Sequence, residues 1–349
     1  MRKVLRKAKR FLKASTPILL LAISLGYILY TRLTGSTLLE TPSIDEMKVY
    51  GPLLLPLIYM ATYIARAWAP LLFAYILAGF INEFIPRHVL VERFSSTRLS
   101  SYLLAALFAP LLAACSCVMI PVFAGLVYSG AGIGPATAFL FAAPAANLIA
   151  ITLTADLVSW RIAIARFVAA LAIATLVGYA VARTPWAQGL EKRFGSRATQ
   201  RAKVVEVKRS LCTRLWQSFL FSCYLAKTIL PYMLLGIAIA SYVHAYVPPT
   251  LVSTYLRGFL GIVLGALIGV PMYTPTCVEV FLVNALKHLG MAPSAALAFL
   301  IGAPITSIPS ILGISRIVGG SIAVLYIVLA IIGAITAATL YHIAIGNLW

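Results

Sequence analysis

Three cysteines lie beside short apolar stretches of the chain. Cys115 and Cys117 stand two residues apart between the stretches 101–114 and 118–129, and Cys277 occupies a similar place in the second half. Thiolates bind soft ions, so three thiols on one cavity would suit a soft, thiol-seeking solute. Cysteine also packs well as a small apolar residue, and this alternative stays open for each. A structural zinc site usually combines CxxC pairs with histidines, and neither accompanies Cys115 or Cys117 in the sequence. We therefore predict no metal site and no cofactor.

An acidic residue accompanies the third cysteine. Glu279 follows Cys277 by two positions inside a short apolar segment. An acid at the centre of a membrane helix costs about 2.5–3.5 kcal/mol on insertion scales, and such a residue usually faces a cavity or carries protons. The alternative is a shallow position near the membrane surface. We predict that Glu279 belongs to a substrate site.

Polar residues follow two prolines in apolar segments. Pro144 precedes Asn147, and Pro304 precedes Thr306 and Ser307. Backbone groups released by a broken helix cannot face lipid unpaired; they must be buried in protein or line a polar cavity. We therefore predict that these five residues line a central substrate site. The alternative is that proline only kinks a packed helix and the polar side chains repair its hydrogen bonds.

The composition places these residues in a membrane protein. Apolar residues make up 62% of the 349 residues and charged residues only 11%, against about 25% charged in soluble domains. The net charge of +19 is concentrated, with seven Lys or Arg in residues 1–13 and nine in 183–214. Basic segments beside apolar spans are typical of cytoplasmic loops, and they argue for contact with anionic lipid rather than nucleic acid. We predict a multi-pass cell-membrane protein with a cytoplasmic N-terminus and central linker.

The second half of the chain repeats the first. Ten of the 31 positions in 117–147 match 277–307 without a gap, in an alignment that sets Cys117 on Cys277 and Gly130 on Gly290. We call this the repeat alignment. Self-similarity at a fixed offset indicates duplicated structure. The domains that follow are a basic N-terminus with the first transmembrane helix and loop (1–49), a first permease repeat (50–182), a basic cytoplasmic linker (183–214) and a second permease repeat (215–349).

The fold class predicted is an all-α polytopic membrane protein with about 8–11 membrane segments. Apolar segments of 10–14 residues are too short to span and favour a re-entrant hairpin in each repeat. The loop 87–98 is basic, as are the N-terminus and the linker, so the two repeats should start on opposite sides of the membrane. Inverted repeats with Pro-broken helices at their interface are a recurring plan in secondary transporters.

The motifs resemble a known family. The run Cys115-Ser116-Cys117, with Ile120-Pro121, Gly130 and Pro144-x-x-Asn147, resembles the predicted-permease family that includes the organoarsenical efflux permeases. The second half is similar to that family's second motif through Gly302-Ala303-Pro304 and Thr306-Ser307. The resemblance implies a polytopic permease, and the characterised members export trivalent organoarsenicals, with proton coupling as an option. Val118 departs from the family's usual glycine.

Three functions compete at this point. A permease for a small molecule or metalloid would use the predicted site between the repeats. A passive channel would conduct the same solute down its gradient only. A membrane thiol oxidoreductase would cycle Cys115 and Cys117 with an external redox partner. The sequence favours the permease over an enzyme, with the lipid bilayer and a small solute as partners.

Overall fold

The computed structural model describes residues 2–34, 44–84, 93–112, 116–194, 211–246, 258–269, 277–288, 290–346 and 348. All regular structure in these residues is helical. Among the described residues, five helical segments are long and apolar enough to cross a membrane, and six shorter apolar helices accompany them. The chain is therefore an all-α multi-pass membrane protein, which confirms the predicted fold class.

The first three helices that the structure describes lie before residue 85. They are α1 (Arg2–Thr34), α2 (Ile44–Val49) and α3 (Leu55–Phe84). Helix α3 is continuous through Pro70. The rest of the first repeat is α4 (Leu99–Phe108), α5 (Ser116–Tyr128), α6 (Ile133–Ala145), α7 (Leu148–Leu153), a π-helix at Thr154–Val158, and α8 (Trp160–Ala182).

The linker and the second repeat continue the helical pattern. Residues 185–194 form a helix, α9, in the first part of the linker. Its Phe194 ring meets the Tyr128 ring edge-on, with centroids 5.0 Å apart, so this part of the linker packs against the membrane helices. The second repeat consists of α10 (Leu211–Tyr246), α11 (Gly258–Ile268), α12 (Val278–His288), α13 (Pro293–Gly302), α14 (Ile308–Val318) and α15 (Gly320–Ile345).

The repeat alignment relates the helices of the two halves. The segment from α7 through the π-helix, 148–158, falls on α14, 308–318, and the first residue of α8 falls on the first residue of α15. Gly130 and Gly290 both have positive φ, 98° and 91°. At each, the next residue donates to a carbonyl five positions back, Ala131 to Leu126 and Met291 to Leu286. The duplication seen in the sequence is thus also a duplication of structure.

The two repeats pack reciprocally. Helices α3, α6 and α8 each contact their own counterparts α10, α13 and α15, and the contact of α5 with α14 is matched by that of α12 with the π-helix. Contacts in which each helix meets its own counterpart are those of two units related by a two-fold axis. The predicted inversion of the repeats requires such a relation. The side of the membrane on which each repeat begins stays a prediction from charge.

The α3–α10 contact depends on small residues. A Cβ placed on Gly79 would overlap the backbone carbonyl of Ser218 and the hydroxyl of Ser222. Membrane helices associate through such small residues because these let two backbones approach closely. Both helices contact α5, and α10 also contacts α14, whereas within the described residues neither packs along α12. Accordingly, residues 118–127 of α5 are buried, whereas α12 leaves Phe281 54% exposed.

Candidate functional site

A buried ion pair joins the two repeats. Nη2 of Arg166, on α8, lies 3.2 Å from Oε1 of Glu279, on α12. Both side chains are enclosed, with exposed fractions of 0% for Arg166 and 2% for Glu279. A charge in this environment is strongly unfavourable unless it is paired and hydrogen-bonded. The structure therefore encloses Glu279 within the protein, and its depth in the membrane stays a prediction.

Two further bonds fix the guanidinium. Its Nε donates to the carbonyl of Ala145 at 3.0 Å, and its Nη1 donates to Oγ1 of Thr154 at 3.1 Å. Ala145 is the last residue of α6, and carbonyls at a helix C-terminus lack partners within the helix. Arg166 thus caps the end of the broken helix while it pairs with the other repeat. Thr154 is held in turn, because its hydroxyl donates to the Ala150 carbonyl.

The π-helix supplies the other side of this contact. Thr154 begins it and Val158 ends it, and Nζ of Lys287 donates to the Val158 carbonyl at 2.7 Å. Glu279 and Lys287 both belong to α12, so this helix is tied to the first repeat near each of its ends. Single-turn π-helices occur frequently at functional sites. The ammonium of Lys287, from the second repeat, is thus hydrogen-bonded to the first repeat.

The equivalent place in the other half of the molecule is apolar. In the repeat alignment, Glu279 corresponds to Met119, Arg166 to Tyr326, and Thr154 to Ile314. These three counterparts are buried, with exposed fractions of 0%, 2% and 3%. The duplicated framework therefore holds a buried ion pair at one position and buried uncharged residues at the equivalent positions of the other repeat.

Glu279 and Asn147 each leave one polar atom unused. Oε2 of Glu279 and Nδ2 of Asn147 are buried without a hydrogen-bond partner among the described residues. Asn147 caps α7, because its Oδ1 accepts a hydrogen bond from the Ile149 amide at 3.0 Å. The repair role proposed as the alternative thus accounts for the oxygen and not for the amide nitrogen. A buried polar group without a partner costs about 1–3 kcal/mol, so this nitrogen is a candidate donor to a ligand.

Cys277 lies at the start of α12 in a strained conformation. Its φ of 74° is in the left-handed region, the only such value for a non-glycine residue in the described part of the chain. The residue is partly buried, packs against the core, and interacts electrostatically with Arg166. Non-glycine residues with positive φ cluster at functional sites.

The prolines and hydroxyl residues predicted for the site are buried or make hydrogen bonds within their own segment. Pro144 and Pro304 are buried at the ends of α6 and α13. Thr306 donates back to the Gly302 carbonyl at 2.9 Å, and the Ser307 hydroxyl shares a 2.8 Å hydrogen bond with Ser310. These bonds match the alternative in which polar side chains repair a broken helix.

Two of the three predicted cysteines are not placed. Cys115 and the side chain of Cys117 lie outside the described residues. Among the residues that are described, no three His, Cys, Asp or Glu side chains come together in a way that could hold a metal ion.

Sequence reasoning missed Arg166. The residue stands seventh in the span Trp160–Ala182, which is otherwise apolar beyond Arg161. A basic residue so far inside a span is a functional-site candidate by default, and this signal was available. Its partner could not be named from the sequence, because Glu279 is 113 positions away.

A duplicated bundle of apolar helices with a buried ion pair between its two halves defines a polytopic membrane protein. A family described as predicted permease matches residues 56–343, and the chain belongs to this family, as the cysteine and proline motifs indicated.

Two relatives extend the comparison. The UPF0718 protein MJ0584 of Methanocaldococcus jannaschii is 31% identical over 320 residues, covering 75% of this chain and 88% of that protein. The UPF0718 protein YraQ of Escherichia coli is 26% identical over 258 residues, covering 73% and 71%. No solved structure matches.

Proposed function

We propose that this chain is a secondary permease, not an enzyme, and that it exports a small, soft solute in exchange for protons at Glu279. The observation that carries the proposal is the ion pair between Arg166 and Glu279, buried where the repeats meet. Membrane-embedded ionisable residues mark solute pathways and proton relays. The family membership supports a permease, while the solute and the coupling are proposals.

The pair offers a way to couple protons to movement. Oε2 of Glu279 has no partner among the described residues, so a proton can add there without first displacing a hydrogen bond. Protonation removes the charge that attracts Arg166 and weakens the tie between α12 and the first repeat. Protonation drives a conformational change only if the conformations with the pair formed and with the pair broken differ in their affinity for the proton. The buried pair supplies that difference.

The solute class rests on the thiols. Cys277 precedes Glu279 by two residues, and a cysteine thiolate is a soft ligand. Cys115 and Cys117 correspond to the same region of the first repeat in the repeat alignment. A trivalent organoarsenical, which binds thiolates, suits this chemistry, and Asn147 would contribute a hydrogen-bond donor through Nδ2.

The direction of transport and the topology belong to the same proposal. The basic segments 1–13 and 183–214 are typical of the cytoplasmic side, so the N-terminus and the linker are placed in the cytoplasm and the repeats are inverted. Alternating access would then move one repeat against the other around the ion pair.

Everted membrane vesicles provide the test. With an acidic interior, vesicles that contain the protein should accumulate methylarsonous acid above its external concentration, and a protonophore should abolish the excess. Glu279→Gln should remove the dependence on the proton gradient. Asp156→Asn is the matched control, because Asp156 is an exposed acid in the π-helix next to the pair. Uptake that only equalises the two concentrations, with or without the gradient, would show a passive channel and contradict the proposal.

A further inference from the structure

A cavity of about 870 Å³ lies at the end of α8, away from the ion pair. It is formed by α4, α8, α9 and the segment just before α4, and Tyr102, Tyr179, Arg183 and Glu191 contribute to its wall. Helix α8 is an apolar span that ends at Ala182. Tyrosine and arginine at the end of a span are typical of the membrane–water interface, so the cavity opens at this level.

The inner wall of the cavity is held by hydrogen bonds. Oε1 of Glu191 accepts from the Ser96 hydroxyl and from the Ile133 amide, the latter at 2.6 Å. Ile133 is the first residue of α6, and a carboxylate is stabilised at a helix N-terminus. The hydroxyl of Tyr102 donates to the Ser96 carbonyl at 2.6 Å. The carboxylate of Glu191 is therefore committed to the framework.

Arg183 provides the positive charge at the mouth. Its guanidinium lies over the Tyr179 ring, 4.8 Å from the centroid, and Nη2 donates to the Tyr179 hydroxyl at 2.6 Å. No acidic side chain of the described residues forms an ion pair with it. Guanidinium carries five N–H donors in a planar fork that suits phosphate. Most of these donors remain available to a ligand, and Thr97 and Gln188 lie on the same wall.

The outer side of the cavity is apolar. Leu99 on α4 is 59% exposed and Leu176 on α8 is 67% exposed, and both line the cavity. Leu176 lies about two turns before Arg183, about 10 Å along the helix at 1.5 Å per residue. A ligand that fits this wall has an anionic group at the Arg183 end and an aliphatic chain beside Leu176 and Leu99.

We propose that this cavity binds an anionic phospholipid, with the headgroup phosphate at Arg183 and an acyl chain against Leu176 and Leu99. A soluble phosphate ester would use the polar end only and would leave the exposed leucines uncovered. The site lies beside the junction of α9 with the N-terminus of α6, which Glu191 joins by accepting from the Ile133 amide. This inference is independent of the proposed transport reaction.

Native mass spectrometry of the full chain in detergent, with added phosphatidylglycerol or phosphatidylcholine, tests the proposal. The wild type should retain phosphatidylglycerol preferentially, and Arg183→Gln should weaken this retention about fivefold, as expected for one basic side chain at an anionic surface. Arg161→Gln is the matched control. Arg161 lies at the opposite end of α8, also near an aromatic ring, with its guanidinium 5.8 Å from the Trp160 ring centroid, and its loss should leave retention unchanged.

Three results would overturn the proposal. The first is equal retention of the two lipids by the wild type. The second is unchanged retention in Arg183→Gln. The third is displacement of the lipid by millimolar glycerol 3-phosphate, which would show a site for a soluble phosphate ester. Leu176→Ser gives an independent check, because it should weaken retention without altering the charge of the site.

Discussion

Removing one partner of the buried ion pair should cost far more stability than removing both. Glu279→Met copies the residue at the equivalent position of the first repeat, Met119. It leaves the guanidinium of Arg166 enclosed, with only neutral acceptors at Ala145 and Thr154. Breaking a buried pair in this way costs about 3–5 kcal/mol.

The double variant Arg166→Met with Glu279→Met should recover most of this loss. Replacing a buried pair by apolar residues of similar size is often neutral or stabilising. One term opposes recovery, because the Ala145 carbonyl loses its donor, at about 1–3 kcal/mol. The double variant should therefore lie within about 3 kcal/mol of the wild type, while the sum of the single changes would exceed that value.

The assay is reversible unfolding in mixed micelles, combined with transport in everted vesicles. The free energies of unfolding of the wild type, Arg166→Met, Glu279→Met and the double variant together give the coupling energy of the pair. Met119→Leu serves as a control that should change stability by less than about 1.5 kcal/mol. Transport should be absent in the double variant although it is folded. Additivity of the two single changes within about 0.5 kcal/mol, or normal transport by the double variant, would refute the reasoning.

Three further changes test the supporting structure. Asn147→Ala should lower stability by about 1 kcal/mol through loss of the cap on α7 and should also impair transport. Ser159→Ala, which removes the cap of α8, should lower stability alone. Equal transport by the two variants would contradict a binding role for Asn147. Gly79→Ala should destabilise the fold, since its Cβ would overlap the backbone of α10, and Gly189→Ala should not, since nothing lies within 4 Å of that position; comparison of thermal unfolding temperatures decides this. Thr154→Val removes one acceptor of Arg166 and should cost about 1.5–3 kcal/mol, as for hydrogen bonds to charged groups, so a change below about 0.5 kcal/mol in micellar unfolding would show that the bond is weak.

The repeated architecture was accessible from sequence because it is written locally. Apolar length determines which segments can span a bilayer, and the repeat alignment is visible in matched glycines and Ala-Pro pairs. The break after Pro144 was also predicted, although the structure places the proline inside α6 and the actual break at Ala146 and Asn147. These features depend on neighbours within a few residues of each other.

The candidate site was only half accessible. Glu279 was selected because an acid in an apolar segment is costly, and the same argument applies to Arg166 but was not made. The local bonds of Thr306 and Ser307 could not be distinguished from ligand contacts, because both uses require the same side chains near a helix break.

The sequence by itself determined that this protein is a duplicated bundle of membrane helices, because hydrophobicity and repetition are properties of the chain read in order. Only the tertiary structure decided that the charges of Arg166 and Glu279 meet, 113 positions apart, while the equivalent place in the other repeat stays apolar. Pairing of buried charges is governed by distance in space and by the loss of water around both groups. Neither is set until the two repeats have packed together.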